Sequence, residues 1–179
     1  SITYLKNSEI IFTKKNSKAI LNEGKIITAD NFKYSKNENI INSNGNVKLE
    51  DKVQNYILLS EDITYFRKDE KIITKGKTNA VVQSKYSINS SDILFLINDG
   101  LISSNNKTML KDNNSNVYNL DSFAYLLKKE QLKGNNIIAV SNFGLPKSDK
   151  LYFKNAIINL KDYSFIAKDT KIEIHNDVF

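Results

Sequence analysis

The chain has 179 residues, of which 40% are hydrophobic and 26% are charged, and it contains no cysteine and no tryptophan. This length fits one domain, residues 1–179, and the missing thiols exclude cysteine nucleophiles, disulfides and cysteine-based zinc sites. The longest apolar run, Ile93 to Ile97, is far shorter than the roughly 20 residues of a membrane-spanning helix. The single histidine, His175, cannot build a histidine metal cluster, so we expect no metal and no cofactor.

The net charge of +6 is carried almost wholly by lysine, because Arg67 is the one arginine. A lysine-rich surface is either simply solvated or weakly attractive to phosphate-bearing partners. Sequence-specific nucleic-acid readers favour arginine forks, and single-strand binders place aromatic side chains among their cations. Neither pattern occurs here, so we do not expect a nucleic-acid partner.

The first residue, Ser1, is not an initiator methionine and no apolar leader follows it, so we expect a removed leader or a piece of a longer protein. Beyond it, apolar and polar residues alternate along most of the chain, separated by Asn-Gly, Asn-Asn, Lys-Asp and Asp-Gly pairs. From Ile41 to Leu49, for example, every second residue falls on one face. This period of two predicts half-buried strands joined by turns, and hence an all-β fold.

A repeat underlies this alternation. Each copy reads as a short strand, a polar turn and a longer strand, and the predicted turns include 14–17, 35–38, 67–70 and 161–164. The copies begin at Ile11, Phe32, Ile63, Ile93, Phe123 and Ile157, so that their spacings are 21, 31, 30, 30 and 34 residues. About six stacked hairpins are therefore expected.

One position midway along the longer strand recurs as glycine, asparagine or threonine. Glycine and asparagine tolerate unusual backbone geometry, and inside a strand they mark a bulge or bend. We therefore predict that antiparallel sheets of stacked hairpins fold over on themselves around an apolar interior. The predicted corner residues are Gly24, Gly45, Gly76, Asn106, Asn136 and Thr170.

The inward-facing positions mix large aromatic residues with small or polar ones, which under-fills a closed interior. An open apolar groove is one interpretation, and an ordinary packed core is the other. The residues expected to line the groove are Phe32, Tyr34, Val47, Leu49, Ile63, Tyr65, Ile93, Phe95, Phe123, Tyr125, Ile138, Val140, Ile172 and Ile174. The end segments 2–5 and 171–175 are expected to be unpaired strand edges.

Two stretches carry a resemblance to a known family. The residues from Ala29 to Val47, which include Asp30-Asn31-Phe32-Lys33-Tyr34 and Gly45-Asn46-Val47, and those from Ser60 to Gly76 resemble the OstA-like repeats of lipopolysaccharide-transport proteins. That family includes the periplasmic bridge protein LptA and the N-terminal domain of the outer-membrane assembly protein LptD. The residues from Leu145 to Ile174 are similar to the stretch that precedes the membrane barrel in LptD-like chains.

The resemblance implies a β-jellyroll, or β-taco, that is not an enzyme. It implies a periplasmic domain, attached to the outer membrane in a longer chain with a C-terminal barrel and an outer-membrane lipoprotein partner. Its groove would receive lipopolysaccharide from a bridge protein and shield the acyl chains. The family's partner contact is strand-to-strand, which assigns the N-terminal junction to Ile2, Tyr4, Ile11 and Thr13.

Three alternatives remain open from the sequence. The chain could be a free-standing LptA-like bridge protein, or a structural or adhesive β-solenoid without a ligand, although the uneven repeat lengths disfavour the latter. A glycosidase-like enzyme would need one carboxylate pair. The acids Asp62, Asp92 and Asp121 instead recur before the short strands, which is typical of strand-entry positions.

Overall fold

The structure is a computed structural model that describes residues 1–21, 24–145 and 147–174. Pro146 and His175, which entered the sequence analysis, lie outside the described residues. Within those ranges the chain is built of β-strands, with one 3-10 turn at Leu127–Lys129, and no helix there is long and apolar enough to cross a membrane. The strands are β1 (Ile2–Leu5), β2 (Ile10–Ile20), β3 (Lys25–Ser35), β4 (Ile40–Asp51), β5 (Tyr56–Phe66), β6 (Lys71–Val82), β7 (Tyr86–Ser91), β8 (Leu94–Leu96), β9 (Leu101–Ser104), β10 (Thr108–Asp112), β11 (Val117–Leu120), β12 (Ser122–Leu126), β13 (Gln131–Val140), β14 (Lys150–Asn159) and β15 (Phe165–Glu173).

All the strand pairs are antiparallel, and eight of the strands close into a barrel. The path runs β6-β7-β10-β11-β13-β12-β9-β8, and β8 pairs back with β6. The ring closes because β6 and β13 are long enough to pair with two short strands each. Strands β1 to β5 extend the sheet on one side of the barrel, and β14 and β15 extend it on the other.

The strand registers align the inward side chains into two rows that cross the sheet. One half of the sheet, the aromatic half, carries the row Tyr34, Ile41, Tyr65, Ile72, Phe95, Ile102, Tyr125 and Leu132. The other half, the aliphatic half, carries the row Ile27, Leu49, Leu58, Ala80, Ile88, Leu110, Tyr118 and Ala139. These rows are the period-two pattern of the sequence seen in three dimensions.

The long strands pass from one half to the other through a bulge. In β4 the crossing residues are Gly45, with φ 76°, and Asn46, with φ 48°, and the register of the β4–β5 ladder shifts there. In β6 the corresponding residue is Gly76, with φ 77°. Glycine adopts this left-handed backbone conformation without strain, and asparagine adopts it at a small cost in free energy. Other residues adopt it at a larger cost. The predicted corners at these two glycines therefore have the geometry expected of them.

The two halves face each other around one hydrophobic core. The rings of Tyr56, in the aliphatic half, and Phe95, in the aromatic half, pack edge to face with centroids 4.8 Å apart. The rings of Tyr86 and Tyr125 do the same at 5.4 Å. Such contacts are favourable beyond the area that they bury. The predicted all-β antiparallel fold is confirmed, whereas the open groove stays a prediction.

The predicted frame of the first repeat is wrong. The segment 14–17 was expected to be a turn, but it lies inside β2, where Lys15 and Asn16 have positive φ and the register with β3 shifts. This segment is therefore the bulge of β2. Gly24, the predicted corner, lies outside the strands, between β2 and β3. A Lys-Lys-Asn-Ser run suits a turn and a bulge equally, so composition alone could not separate them.

Candidate functional site

Most of the residues predicted to line a groove are buried in the core. Phe95 and Tyr125, near the middle of the aromatic half, have no exposed surface. Tyr34 is half-buried and packs against the core, while Ile172 on β15 and Ile174, which directly follows β15, are exposed. The remaining buried members of the predicted set are Phe32, Val47, Leu49, Ile63, Tyr65, Ile93, Phe123 and Val140.

Ile138 corrects the prediction, because it faces outward and is 38% exposed. At the crossing of β4 three residues separate the inward Ser43 from the inward Val47, whereas in β13 two residues separate Gly134 from the inward Ile137. The chain of β13 therefore reaches the aliphatic half one residue earlier. As a result Ile137 is buried and Ile138 points to solvent.

An apolar cavity lies at the N-terminal end of the core. It has a volume of about 310 Å³ and is lined by inward residues of β2, β3 and β4, among them Ile11, Phe32 and Ile41. Lys18 and Arg67 also line it. This cavity exists because β2 is paired along Lys18–Ile20 on one side only, with no further strand beyond that edge in the described sheet.

A larger apolar cavity, of about 560 Å³, lies at the C-terminal end. Its walls include Leu151 and Phe153 of β14 and Phe165 and Ile172 of β15. The rings of Phe153 and Phe165 are 4.7 Å apart. The described protein therefore has a filled centre with an apolar recess at each end.

A third hollow, of about 900 Å³, has a different character. It spans β1 to β6 and is lined in part by exposed residues of the aromatic half, such as Lys33, Asn42 and Ile73. Asn42 accepts a hydrogen bond from the Thr64 hydroxyl within this surface. Because its lining mixes lysine, asparagine and threonine side chains, this hollow does not match the predicted apolar groove.

Along the side of the molecule opposite the bulges, the turns of the two halves meet in a line that we call the seam. Its residues are Lys25, Asp51, Glu70, Gln83, Lys85, Tyr86, Asp112, Asn114, Tyr125, Leu127, Glu130 and Tyr163. At the N-terminal end of the seam, Lys25 of the aliphatic half lies 3.7 Å from Asp51 and 3.5 Å from Glu70 of the aromatic half. Lys25 and Asp51 are almost fully buried, with 3% and 1% of their side chains exposed. Asp51 is the cross-strand neighbour of Lys25 within the aliphatic half, so the contact of Lys25 with Glu70 is the one that joins the two halves.

The middle of the seam is joined by neutral and charged hydrogen bonds. Gln83 donates to the Leu127 carbonyl at 3.1 Å and accepts from the Tyr125 hydroxyl at 2.9 Å. Glu130 accepts from the Tyr86 hydroxyl at 2.7 Å and from Lys85 at 3.0 Å. Both sets of contacts join the aliphatic half to the aromatic half through side chains.

The same pattern continues at the C-terminal end, where Tyr163 contacts Asp112 and Asn114. Its hydroxyl lies 3.4 Å from Asp112 Oδ2 and accepts a hydrogen bond from the Asn114 amide. Side-chain contacts can be exchanged for water at a cost of about 0.5–1.5 kcal/mol each, or more for charged groups. The seam is thus the side along which the two halves could separate without breaking a strand ladder.

The acid at the centre of the seam makes stability depend on pH. The hydrogen bonds from Tyr86 and Lys85 hold the pKa of Glu130 below its ordinary value. A lowered carboxyl pKa stabilises the fold above the unfolded-state value of about 4.3, and this contribution is lost as the pH falls through the folded-state pKa. Glu130→Gln should therefore lower the Tm at pH 7, and its difference from wild type should shrink below about pH 4.

Thermal unfolding of the two proteins between pH 3 and pH 7 checks this prediction. Glu61→Gln is the matched control, because Glu61 is exposed on β5 and forms no ion pair with the described residues. A constant offset between Glu130→Gln and wild type over the whole pH range would contradict the assignment of this carboxylate to the seam.

Both ends of the sheet are exposed strand edges. Ile2 and Tyr4 lie on β1, which pairs on one side with Ile11 and Thr13 of β2, and Ile2 is 77% exposed. At the other end of the described sheet, β15 pairs with β14 alone. Over the described ranges, no cluster of three histidine or acidic residues is placed to hold a metal ion.

The sequence analysis missed the seam, although a signal for it exists. The last residues of the turns of the aromatic half are Glu9, Asn39, Glu70, Gly100 and Glu130, which are 30 or 31 residues apart, and all have positive φ. Two of them, Glu70 and Glu130, are acids of the seam. Tracing the repeat through the turns as well as the strands would have found these positions.

Comparison with known proteins adds no relative, since neither a family model nor a curated protein matches this chain.

Proposed function

We propose that this chain is a non-enzymatic, OstA-like lipid-transport domain that receives lipopolysaccharide and shields its acyl chains. The proposal places it in the periplasm, attached to the outer membrane in a longer chain. The observation that carries it is the pairing of an apolar interior, recessed at both ends, with a seam closed by side chains. An interior of this kind can admit an elongated apolar ligand when the seam opens.

The energetics favour such a ligand. Exposing a saturated chain to water costs about 0.8 kcal/mol per methylene, so a chain of about twelve carbons costs about 10 kcal/mol. The cavities at the two ends offer apolar surface to such chains. The central core residues must move apart for a chain to pass, and the seam contacts are the ones to be exchanged for water.

The edges support a relay of such domains. Under the proposal, β1, with Ile2 and Tyr4, pairs with a strand of an LptA-like bridge protein, which would continue the apolar interior from one protein to the next. An outer-membrane lipoprotein and a barrel complete the assembly in an LptD-like chain. A free-standing bridge protein would use both edges in the same manner.

Site-specific photocrosslinking to purified lipopolysaccharide tests the proposal. A photoreactive side chain at Leu151, which lines the C-terminal cavity, should form an adduct. Tyr152 is the matched control, because it is the next residue of β14 and its side chain points to the other face. A photoreactive residue in place of Phe95 should react only if the chains enter the centre. Absence of adducts from both Leu151 and Phe95 would overturn the proposal.

One observation favours a second candidate, a ligand-free structural module. The central residues, including Ile72, Phe95 and Ile102, are fully buried and leave no passage in this state. A stalk or spacer would need only such a core and its two strand edges. The same crosslinking experiment separates the candidates, since the structural module forms no adduct at any inward position.

A further inference from the structure

The guanidinium of Arg67 sits at the N-terminal cavity in a fixed position. Its Nη1 donates to the Tyr34 hydroxyl and to Asn39 Oδ1, each at 3.1 Å, and its Cζ lies 5.8 Å from the centre of the Tyr34 ring. The Arg67 backbone N–H also donates to the Asn39 carbonyl at 3.1 Å. Arginine held in this way loses little further freedom when its remaining N–H groups bind a ligand.

No carboxylate neutralises this guanidinium among the described residues. Its hydrogen-bond partners, Tyr34 and Asn39, are both neutral, and none of the ion pairs of the described chain includes it. Two other buried or half-buried cations of the described chain, Lys25 and Lys48, are paired with carboxylates, and Lys71 lies over the Phe66 ring. A half-buried cation without a counter-ion is costly unless an anion or water reaches it. The unused N–H groups of Arg67 are thus available to an anion.

The surroundings of Arg67 are apolar and open. The cavity that it lines has Ile11, Phe32 and Ile41 in its walls, and Lys18 adds a second positive charge to the lining. The C-terminal cavity has the opposite character. Among the described residues its lining includes Asp149 and no lysine or arginine. The two ends of the core therefore differ in charge as well as in size.

We propose that the N-terminal cavity binds a phosphate-bearing amphiphile, with its acyl chain in the cavity and its phosphate on Arg67. This inference rests on the proposed function and deepens it, because it names the group that recognises the head and the end at which it is bound. The planar guanidinium fork matches phosphate oxygens, and charge-assisted bonds of this kind are among the strong ones. Because the C-terminal cavity offers no cation, a phosphate-bearing ligand is captured at the N-terminal end and released at the other.

Calorimetric titration of the whole chain with two probes below their micellar concentrations tests the inference. The probes are dodecyl phosphate and the neutral dodecyl maltoside. Arg67→Gln should weaken the binding of dodecyl phosphate about tenfold, which is about 1.4 kcal/mol. It should leave the affinity for dodecyl maltoside unchanged. Lys154→Gln is the matched control, because Lys154 is an exposed cation of β14 far from this cavity, and it should change neither affinity. Added salt should reduce the affinity of wild type for dodecyl phosphate more than that of Arg67→Gln.

The possible outcomes separate this inference from the proposed function. If wild type binds both probes equally well and Arg67→Gln changes neither affinity, the headgroup site is overturned while lipid binding stands. If neither probe binds, both proposals fail. If Arg67→Gln weakens the binding of both probes equally and lowers the Tm, Arg67 only supports Tyr34 and its turn, and the headgroup site is overturned. Should Arg67→Gln not fold, Arg67→Lys takes its place, because it keeps the charge but loses the fork, and a dodecyl phosphate affinity equal to that of wild type would then overturn the site.

Discussion

Replacing Lys25 by methionine is expected to destabilise the protein by about 3–5 kcal/mol, which is the usual effect of removing one partner of a buried ion pair. The substitution leaves Asp51, which is 1% exposed, without the cation 3.7 Å away. It also removes the link to Glu70 across the seam, at 3.5 Å. The free energy of unfolding from urea titration at pH 7 measures the loss.

A second substitution distinguishes the buried charge from lost packing. Lys25→Met combined with Asp51→Asn should recover much of the loss, because the amide removes the unpaired charge. The amide oxygen can still accept the Val53 and Gln54 N–H groups that Asp51 Oδ1 now accepts at 2.9 Å. Lys48→Met is the matched control, since Lys48 is exposed in its pair with Glu50, and its urea midpoint should be close to that of wild type. A double variant no more stable than Lys25→Met would contradict the electrostatic explanation.

The strands were predictable from the sequence because the inward positions of each strand are mostly apolar. Apolar or small residues that alternate with polar ones, as from Ile41 to Leu49, fix which face is buried. The corners at Gly45 and Gly76 were predictable for a related reason, since few other residues accept their backbone angles. Local chemistry therefore carries the strands and most of the bends.

Two kinds of feature could not be predicted from the sequence. One depends on a difference of a single residue in the length of a crossing, and the other depends on contacts between residues far apart in the chain. Ile138 changed face because β13 has one residue fewer than β4 between its inward positions at the crossing. The seam joins side chains such as Gln83 and Leu127, which are 44 residues apart. No local pattern encodes such a contact until the repeat has been placed in space.

The role proposed for Arg67 could not be predicted from the sequence either, because it too depends on a contact between residues far apart in the chain. As the one arginine of a lysine-rich chain it argued against nucleic-acid binding, but its position at an apolar cavity was not visible from its turn sequence. The folded sheet brings it next to Tyr34, on the neighbouring hairpin. A candidate headgroup site thus arises from stacking two repeats and not from a motif within one.

The second large effect is expected at the centre of the core. Phe95→Ala should cost about 3–5 kcal/mol of unfolding free energy, because it removes a fully buried ring and leaves a cavity that the surrounding strands fill only in part. Phe95 lies on the short strand β8 between Ile72 and Ile102, and its ring packs on Tyr56 with centroids 4.8 Å apart. Urea titration measures this loss, and Phe95→Leu, which keeps more of the volume, should lose less.

The control for this prediction is an apolar residue on the outer face. Ile138→Ala should change the free energy of unfolding by no more than about 0.5 kcal/mol, because Ile138 is exposed to solvent. A loss below about 1 kcal/mol for Phe95→Ala would mean that the centre is loosely packed and already open to a ligand. Under the proposed function, a large loss would instead mean that acyl chains reach the centre only after the seam has opened, and the contacts of Lys25, Gln83 and Glu130 would then form the barrier to passage.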